Sequence, residues 1–225
     1  MTTARPVVTI SAAYGTGSEA IGRRVADALD LAFLDRAIPA AVAAELLTAF
    51  ADVASLESHP AHGLGQWLTV FAPLGSAWLG VPEPQGPWQT ESEYLDHTES
   101  VMRRAAGRGV VIMGRGASIV LRHHPGALHV RLDGPPERRL AQAIATGGLD
   151  PTAAAKAQRQ TDSARRHYVR HFYHLDVTAP SLYHLYLDAT AISPSTCAAV
   201  IVRAARDRAE PSPTSGPEAS GRAEQ

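Results

Sequence analysis

Two glycines follow a short apolar run near the start of the chain, in the segment Ser11-Ala12-Ala13-Tyr14-Gly15-Thr16-Gly17-Ser18-Glu19. The run before them, residues 7–10, has the β-branched character of a buried strand, and a helical pattern begins at residue 20. Glycines let successive backbone amides turn to one side, and the start of a helix adds its dipole, so such a loop attracts anions. The pattern predicts that Gly15-Thr16-Gly17 holds a nucleotide phosphate. A tight turn that uses glycine only for its shape is the alternative.

Two kinds of phosphate-binding turn fit this segment. The spacing Gly15-x-Gly17-x-x-Ala20, with Asp35 further along, fits the dinucleotide fingerprint of Rossmann domains. In that fingerprint the glycines follow the strand almost at once, whereas residues 11–14 separate them here, which favours the longer arch of a P-loop. The P-loop pattern GxxxxGK[ST] is itself poorly matched. Its first glycine, its lysine and its hydroxyl residue are replaced, in order, by Ala12, Ser18 and Glu19.

Arginine must supply the positive charge for any phosphate chemistry, because Lys156 is the sole lysine among 21 basic residues. On a helix, Arg159 and Arg166 share one face with Asp162 between them, where they could hold a transferred phosphoryl group. A solvated helix on which Asp162 simply pairs with the arginines is the other interpretation.

Two further groups of residues could bind a metal ion. His167, His171 and His174 lie on one helical face, but a surface histidine face is favoured over a metal triad there. Asp133 follows a strand, either as a Mg²⁺ carboxylate or as the start of a turn and helix, and both interpretations stay open.

The elements that position these residues alternate between strand and helix. Apolar runs predict strands at residues 7–10, 31–34, 110–113, 127–132 and 185–187. Helical patterns lie at residues 20–29, 39–50, 91–106, 151–173 and 194–207. Two further helices are predicted to begin after residue 116 and within residues 133–137. This alternation predicts an α/β fold, a parallel sheet covered by helices on both faces.

One domain is predicted over residues 1–208. Residues 55–90 break the pattern with repeated Gly, Pro and aromatic residues, and because long structureless loops are uncommon in compact domains, we interpret this stretch as part of an inserted cap with a short helix around 64–71. Its tryptophans, Trp67, Trp78 and Trp88, are expected to form a small core of their own. The tail 209–225 has no large apolar side chain and is predicted to be disordered.

Composition narrows the class of protein. A chain of 225 residues with net charge −1 suits a single domain and argues against nucleic acid or an anionic membrane as a partner. The single cysteine, Cys197, excludes an internal disulfide and is expected to be a buried thiol. Since neither a signal-peptide pattern nor a membrane-spanning run of about 20 residues is found, we expect a cytoplasmic protein. The glycine loop predicts that its partners are small-molecule nucleotides.

Three segments together resemble the cytidylate kinase-like family, relatives of bacterial cytidylate kinase among the nucleoside-monophosphate kinases. They are Val8-Thr9-Ile10-Ser11 through Gly22-Arg23-Arg24, then Phe33-Leu34-Asp35-Arg36, then Ile112-Met113-Gly114-Arg115-Gly116-Ala117. The family's loop typically reads S-R-x-Y-G-S-G-G-x-x-I-G and already lacks the usual lysine. The resemblance covers about residues 7–206.

The resemblance implies a P-loop kinase fold with an inserted cap at about 36–90 and an Arg-bearing lid helix at about 150–173. It implies that ATP, with Mg²⁺, gives its γ-phosphoryl group to a nucleoside monophosphate, CMP or dCMP in the parent enzymes. The implied catalytic residues are Arg159, Asp162 and Arg165. The implied substrate-binding residues are Asp35, Arg36 and Arg115. The implied ATP-binding residues are Tyr14, Gly15, Thr16, Gly17, Ser18 and Glu19, of which Glu19 is also the expected Mg²⁺ ligand.

Departures from the family pattern keep other functions open. Ala12 replaces the family's loop arginine, Ser18 replaces the glycine after Gly17, and the Glu19 carboxylate would repel phosphate unless it binds Mg²⁺. These departures favour, as the first alternative, a non-catalytic nucleotide-binding protein that acts as a sensor or scaffold. The glycine spacing with Asp35 gives a lower-ranked alternative, an NAD(P)-dependent oxidoreductase on a Rossmann domain.

Overall fold

The computed structural model describes residues 5–34, 91–148 and 150–209. Several predictions fall outside the described residues, namely the cap at 36–90 with its three tryptophans, the tail from 210 onward, Asp35 and Arg36. The described elements, in chain order, are β1 (Val7–Ala12), α1 (Ser18–Leu29), β2 (Ala32–Leu34), α2 (Glu91–Ala106), β3 (Val110–Met113), α3 (Ala117–Val120), β4 (Ala127–Asp133), α4 (Pro136–Gly147), α5 (Pro151–Tyr173), a 3₁₀ turn (Pro180–Leu182), β5 (Leu185–Asp188) and α6 (Pro194–Ala209).

The five strands form one parallel sheet in the order β2-β3-β1-β4-β5. Strand β1 lies at its centre, with Val7 paired to Val110 of β3 on one side and to Ala127 of β4 on the other. In the common Rossmann and flavodoxin-like orders β1 and β2 are neighbours, whereas here β3 lies between them. The α/β prediction is confirmed, and the strand order differs from that of a dinucleotide-binding domain.

Strand β1 is longer than the sequence predicted, and this changes the glycine loop. The predicted strand ended at residue 10, but Ser11 and Ala12 continue it because they pair with Arg131 and Leu132 of β4. Only residues 13–14 therefore separate the strand from Gly15. The predicted long arch is wrong, so the strand order, not the length of the loop, separates this fold from a Rossmann domain.

Helices cover both faces of the sheet, and the β1 side chains alternate between them. Val8 and Ile10 face α1 and α6, where the core includes Ile21, Val25, Cys197, Ile201 and Ala205. Val7 faces α2 and α3, where the core includes Met102, Ala106, Ala117 and Val120. Cys197 is fully buried as predicted, and burial raises the pKa of its thiol.

Helix α5 has the bounds that the sequence predicted and spans 23 residues, about 35 Å. The Asp150 side chain caps its start by accepting a hydrogen bond from the Ala153 amide at 3.0 Å. Its buried face includes Ala154, Gln158, Thr161 and Val169. Although it is long, α5 is polar, and no helix of the described residues is long and apolar enough to cross a membrane.

Candidate functional site

The loop of residues 13–17 joins the central strand to α1 at the carboxyl edge of the sheet, where ligands of open α/β sheets bind. Gly15 and Gly17 adopt left-handed backbone conformations, with φ of 80° and 65°. The Thr16 side chain is buried and its hydroxyl donates to the Ala13 carbonyl at 2.9 Å, which closes the turn from inside. The loop is therefore a compact turn in which glycine is strongly favoured at two positions.

The amides of this loop divide into two groups. The Ala13 amide donates to the Leu132 carbonyl at 3.0 Å, and the Tyr14 amide donates to Asp162 Oδ1 at 2.9 Å. In the described part of the chain, the amides of Gly15, Thr16 and Gly17 have no hydrogen-bond acceptor. Because α1 begins directly behind them, these amides and the helix dipole can together bind an anion.

A buried arginine, Arg139 in the first turn of α4, donates hydrogen bonds to the loop and to α5. Its Nη1 donates to the Tyr14 carbonyl at 2.8 Å and to Asp162 Oδ2 at 2.7 Å, and its Nε donates to the Gly134 carbonyl at 2.9 Å. The Arg139 backbone also touches the loop, since a Cβ on Gly15 would lie 2.2 Å from the Arg139 carbonyl oxygen.

Sequence reasoning missed Arg139, although one local signal was present. A cation in the first turn of a helix opposes the helix dipole, so Arg139 at the start of α4 indicates an acidic partner elsewhere in the chain. That partner is Asp162, 23 residues further along, and no local pattern identifies it.

Of the predicted lid residues, the structure brings Asp162 and Arg165 to the loop. Asp162 binds the loop through Tyr14, and Arg165 Nη1 donates to the carbonyl of Ala12, the last residue of β1. Arg159 and Arg166 are exposed, although they share the helical face of Asp162. Arg165 therefore places its guanidinium against the end of β1, directly before the glycine loop.

Glu19 and Ser18 begin α1, and their side chains differ in exposure. Ser18 is buried, whereas Glu19 is exposed and pairs with Arg23 one turn along the helix, with 2.9 Å between Nη2 and Oε1. A pair this exposed contributes little and can open. Mg²⁺ in such sites is held mostly by phosphate oxygens and waters with one or two carboxylates. Since its Oε2 has no partner in the described residues, Glu19 fits as such a carboxylate.

The structure favours the turn interpretation of Asp133. Its Oδ1 accepts the Gly134 amide at 2.9 Å, and its Oδ2 accepts hydrogen bonds from Arg131 and from the Tyr186 hydroxyl. Burial alone would raise the pKa of this carboxyl, but the Arg131 hydrogen bond and charge outweigh burial and lower it. With both oxygens occupied, Asp133 fits a structural ion pair better than a metal ligand.

The less favoured interpretation of His167, His171 and His174, a metal triad, finds no support in the described residues. No group of three or more His, Cys, Asp or Glu side chains that could hold a metal ion occurs among the described residues. His167 and His171 are exposed on α5, and His174 ends the helix in a left-handed conformation with φ of 54°. The surface interpretation of these histidines agrees with this placement.

Arg115 lies in a strained turn after β3, beside the loop. Gly114, Arg115 and Gly116 are all left-handed, with φ of 78°, 55° and 69°, and the Gly114 amide donates to the Ile10 carbonyl of β1 at 2.9 Å. Tyr173 packs so closely that a Cβ on Gly116 would lie 2.4 Å from its ring. Arg115 Nε is buried without a hydrogen-bond partner in the described residues. A strained arginine with an unused donor is a candidate ligand-binding residue.

Comparison with known proteins agrees with this architecture. The model of the cytidylate kinase-like family matches residues 7–191. The solved structure of an uncharacterized protein from Eubacterium ventriosum is similar over 90% of this chain and 99% of its own, with 14% identity and a TM-score of 0.61. A gluconokinase from Sinorhizobium meliloti has 15% identity and a TM-score of 0.48, over 92% and 95% of the two chains. No curated protein sequence matches the chain.

Proposed function

Since this chain belongs to the cytidylate kinase-like family, we propose that it transfers the γ-phosphoryl group of ATP to a nucleoside monophosphate. The family and the P-loop kinase fold support phosphoryl transfer in general. The nucleoside monophosphate as acceptor, ATP as donor and Mg²⁺ as its counter-ion are the proposal. The cytoplasmic location and the absence of nucleic-acid partners stay predictions.

The observation that carries the proposal is the glycine loop, in which three amides lack an acceptor among the described residues and an arginine binds the strand end beside it. Phosphoryl transfer asks a protein chiefly for positioning and for positive charge around the transferred group. The amides of Gly15, Thr16 and Gly17 would hold the β-phosphate of ATP, and Arg165 would approach the γ-phosphoryl group from α5. Arg165 thus supplies the charge that a loop lysine supplies in the usual P-loop pattern.

The remaining predicted site residues would bind either Mg²⁺ or the phosphate acceptor. When bound, Mg²⁺ would bridge phosphate oxygens and neutralise their developing charge, and Glu19 would help to hold it. Arg115 would bind the acceptor phosphate through its guanidinium group, because its turn lies next to the end of β1. Asp35 and Arg36 stay predicted substrate-binding residues, and Arg159 stays a predicted catalytic residue that would have to reach the site from an exposed position.

A turnover assay with a matched variant tests the proposal. The purified protein is incubated with ATP, Mg²⁺ and each nucleoside monophosphate in turn, and ADP is measured. We expect turnover with at least one acceptor, and a loss of roughly a hundred- to a thousandfold in kcat for Arg165→Ala. Lys156→Ala removes a positive charge from an exposed position of the same helix and is expected to leave kcat unchanged. Absence of ADP formation with every acceptor would contradict the proposal.

A non-catalytic nucleotide-binding role is the second candidate, favoured by the Glu19 carboxylate at the start of α1 and its pairing with Arg23. This carboxylate would oppose triphosphate binding in the absence of Mg²⁺. Calorimetry separates the two candidates, since binding of ATP or CMP without turnover supports the second. Turnover that Arg165→Ala abolishes would exclude it.

A further inference from the structure

Arg139 joins three parts of the molecule that must be aligned for the phosphate loop to work. It lies on α4, contacts the loop at Tyr14, and pairs with Asp162 on α5. We propose that Arg139 is a positioning residue, which holds the loop in the conformation that directs its amides at the nucleotide phosphates. This inference rests on the proposed function, because it assigns a role in the same site.

The geometry of the peptide between Tyr14 and Gly15 shows how one side chain can do this. In a trans peptide, the carbonyl of one residue and the amide N–H of the next point in opposite directions. The described residues contain no cis peptide. Because Arg139 Nη1 binds the Tyr14 carbonyl at 2.8 Å, the Gly15 N–H is turned to the opposite side of the loop. The amide that would face a phosphate is thus oriented by a side chain that need not touch that phosphate.

Asp162 completes the arrangement by binding the other side of Tyr14. One carboxylate oxygen accepts the Tyr14 amide at 2.9 Å and the other accepts Arg139 Nη1 at 2.7 Å. Tyr14 is therefore held at both its amide and its carbonyl, once from α5 and once from α4. A rotation of this residue would break both contacts together.

Burial and charge separate the role of Arg139 from that of a phosphate-binding cation. The Arg139 side chain is only 7% exposed, its charge is compensated by Asp162, and Asp133 Oδ1 lies 3.5 Å from its Nε. A guanidinium enclosed in this way adds little net positive charge to the loop surface. Its contribution is the fixed fork of its donors, which reach the Tyr14 carbonyl, the Gly134 carbonyl and Asp162 at once.

The test replaces Arg139 by a residue that keeps the positive charge but lacks the planar set of guanidinium donors. Arg139→Lys leaves Asp162 compensated, but one ammonium group cannot reproduce all three contacts. Arg131→Lys is the matched control, because Arg131 is also buried and also pairs with a carboxylate, Asp133, without contacting residues 13–17. Each variant is studied well below its own unfolding temperature, by calorimetry with ATP and by amide hydrogen exchange of the ligand-free protein.

We expect Arg139→Lys to weaken ATP binding about tenfold or more and to raise the KM for ATP, while the KM for the acceptor stays unchanged. In the ligand-free protein, the Tyr14 amide is expected to exchange faster than in the wild type. Arg131→Lys is expected to lower the unfolding temperature and to leave ATP affinity and Tyr14 exchange unchanged. If Arg139→Lys does not fold, the double variant Arg139→Gln with Asp162→Asn, which buries no unpaired charge, takes its place.

The inference is overturned if the folded Arg139 variant binds ATP like the wild type with unchanged Tyr14 exchange. It is also overturned if Arg131→Lys loses as much ATP affinity, since the effect would then follow general stability. If the wild type itself does not bind ATP, the proposed function fails separately. In that case, amide hydrogen exchange of Tyr14 in the ligand-free variants still decides whether Arg139 holds the loop in place.

Discussion

Arginine side chains form the polar framework beneath and beside the glycine loop. Arg139 binds Tyr14 and Asp162, and Arg165 binds the Ala12 carbonyl directly before the loop. A guanidinium has five donors in a rigid plane, so one side chain can bind acceptors on two or three elements at once. A lysine in the same position would be a point charge with less directional control. The framework therefore depends on arginine for geometry as well as for charge.

At the residue scale, Gly15→Ala is expected to lower the free energy of unfolding by much more than the strain of a left-handed alanine alone would. The new Cβ would lie 2.2 Å from the Arg139 carbonyl oxygen, a backbone atom that cannot move aside alone. Gly148→Ala is the matched control, because Gly148 is also left-handed, with φ of 60°, but has nothing within 4 Å of its Cβ position. We expect about 1 kcal/mol of destabilisation for Gly148→Ala and several-fold more for Gly15→Ala, measured by urea unfolding.

Equal destabilisation by the two glycine variants would contradict the close packing of the loop on α4. A difference would locate the cost in the contact with Arg139, because both variants impose the same left-handed strain.

At the scale of elements, the strands β1, β4 and β5 are joined by a polar contact inside the sheet. Thr9 Oγ1 on β1 lies 2.8 Å from His129 Nδ1 on β4, and the His129 ring stacks on His184, with 4.8 Å between ring centroids. The His184 amide donates to the His129 carbonyl at 2.7 Å. A neutral imidazole suits this environment, since a charged one would be buried next to other basic groups.

Stability is expected to fall as the pH falls from about 6.5 to about 4. Burial, followed by the charges of His184 and Arg208, lowers the pKa of His129 to about 4, whereas the unfolded chain titrates near 6.5. The unfolded state thus binds more protons in this window, and up to about 3 kcal/mol of stability present above pH 6.5 is lost as the pH falls toward 4. Urea unfolding at several pH values measures how the free energy of unfolding depends on pH.

The variant His129→Asn removes the titrating group and is expected to flatten this pH slope, whatever its effect on absolute stability. His123→Gln, at an exposed position, is the control and should keep the wild-type slope. An unchanged slope in His129→Asn would show that other groups cause the acid sensitivity.

The sequence predicted elements better than contacts, and the difference has a physical cause. Helices over 91–106 and 151–173 and the strand over 110–113 were predicted with their observed bounds, because their periodicity and caps are local. The end of β1 was missed because pairing with β4, more than 100 residues away, extends it. The contact of Arg139 with Asp162 was missed because the two residues are 23 positions apart and no local pattern connects them. Arg165 was predicted from the family resemblance alone, and its contact with Ala12 is a finding of the structure.

At the scale of the whole molecule, the described residues form two cores on opposite faces of one sheet. The core under α1 and α6 includes Ile201, which is fully buried, next to Val200, which is 39% exposed. Ile201→Ala is expected to cost about 2–5 kcal/mol in the free energy of unfolding, because it removes buried methyl groups and leaves a cavity. Val200→Ala should change it by no more than about 0.5 kcal/mol. Comparable losses in urea unfolding would contradict the observed orientation of α6.

The rarity of lysine has a practical consequence for work on α5. Lys156 is the sole lysine of the chain and lies exposed on this helix, about 13 Å along it from Arg165. Apart from the α-amino group, an amine-reactive dye therefore has one attachment point, and Cys197 is shielded from thiol reagents by its burial. A fluorophore on the native chain would report whether this helix shifts when nucleotide is added, without any engineered labelling position.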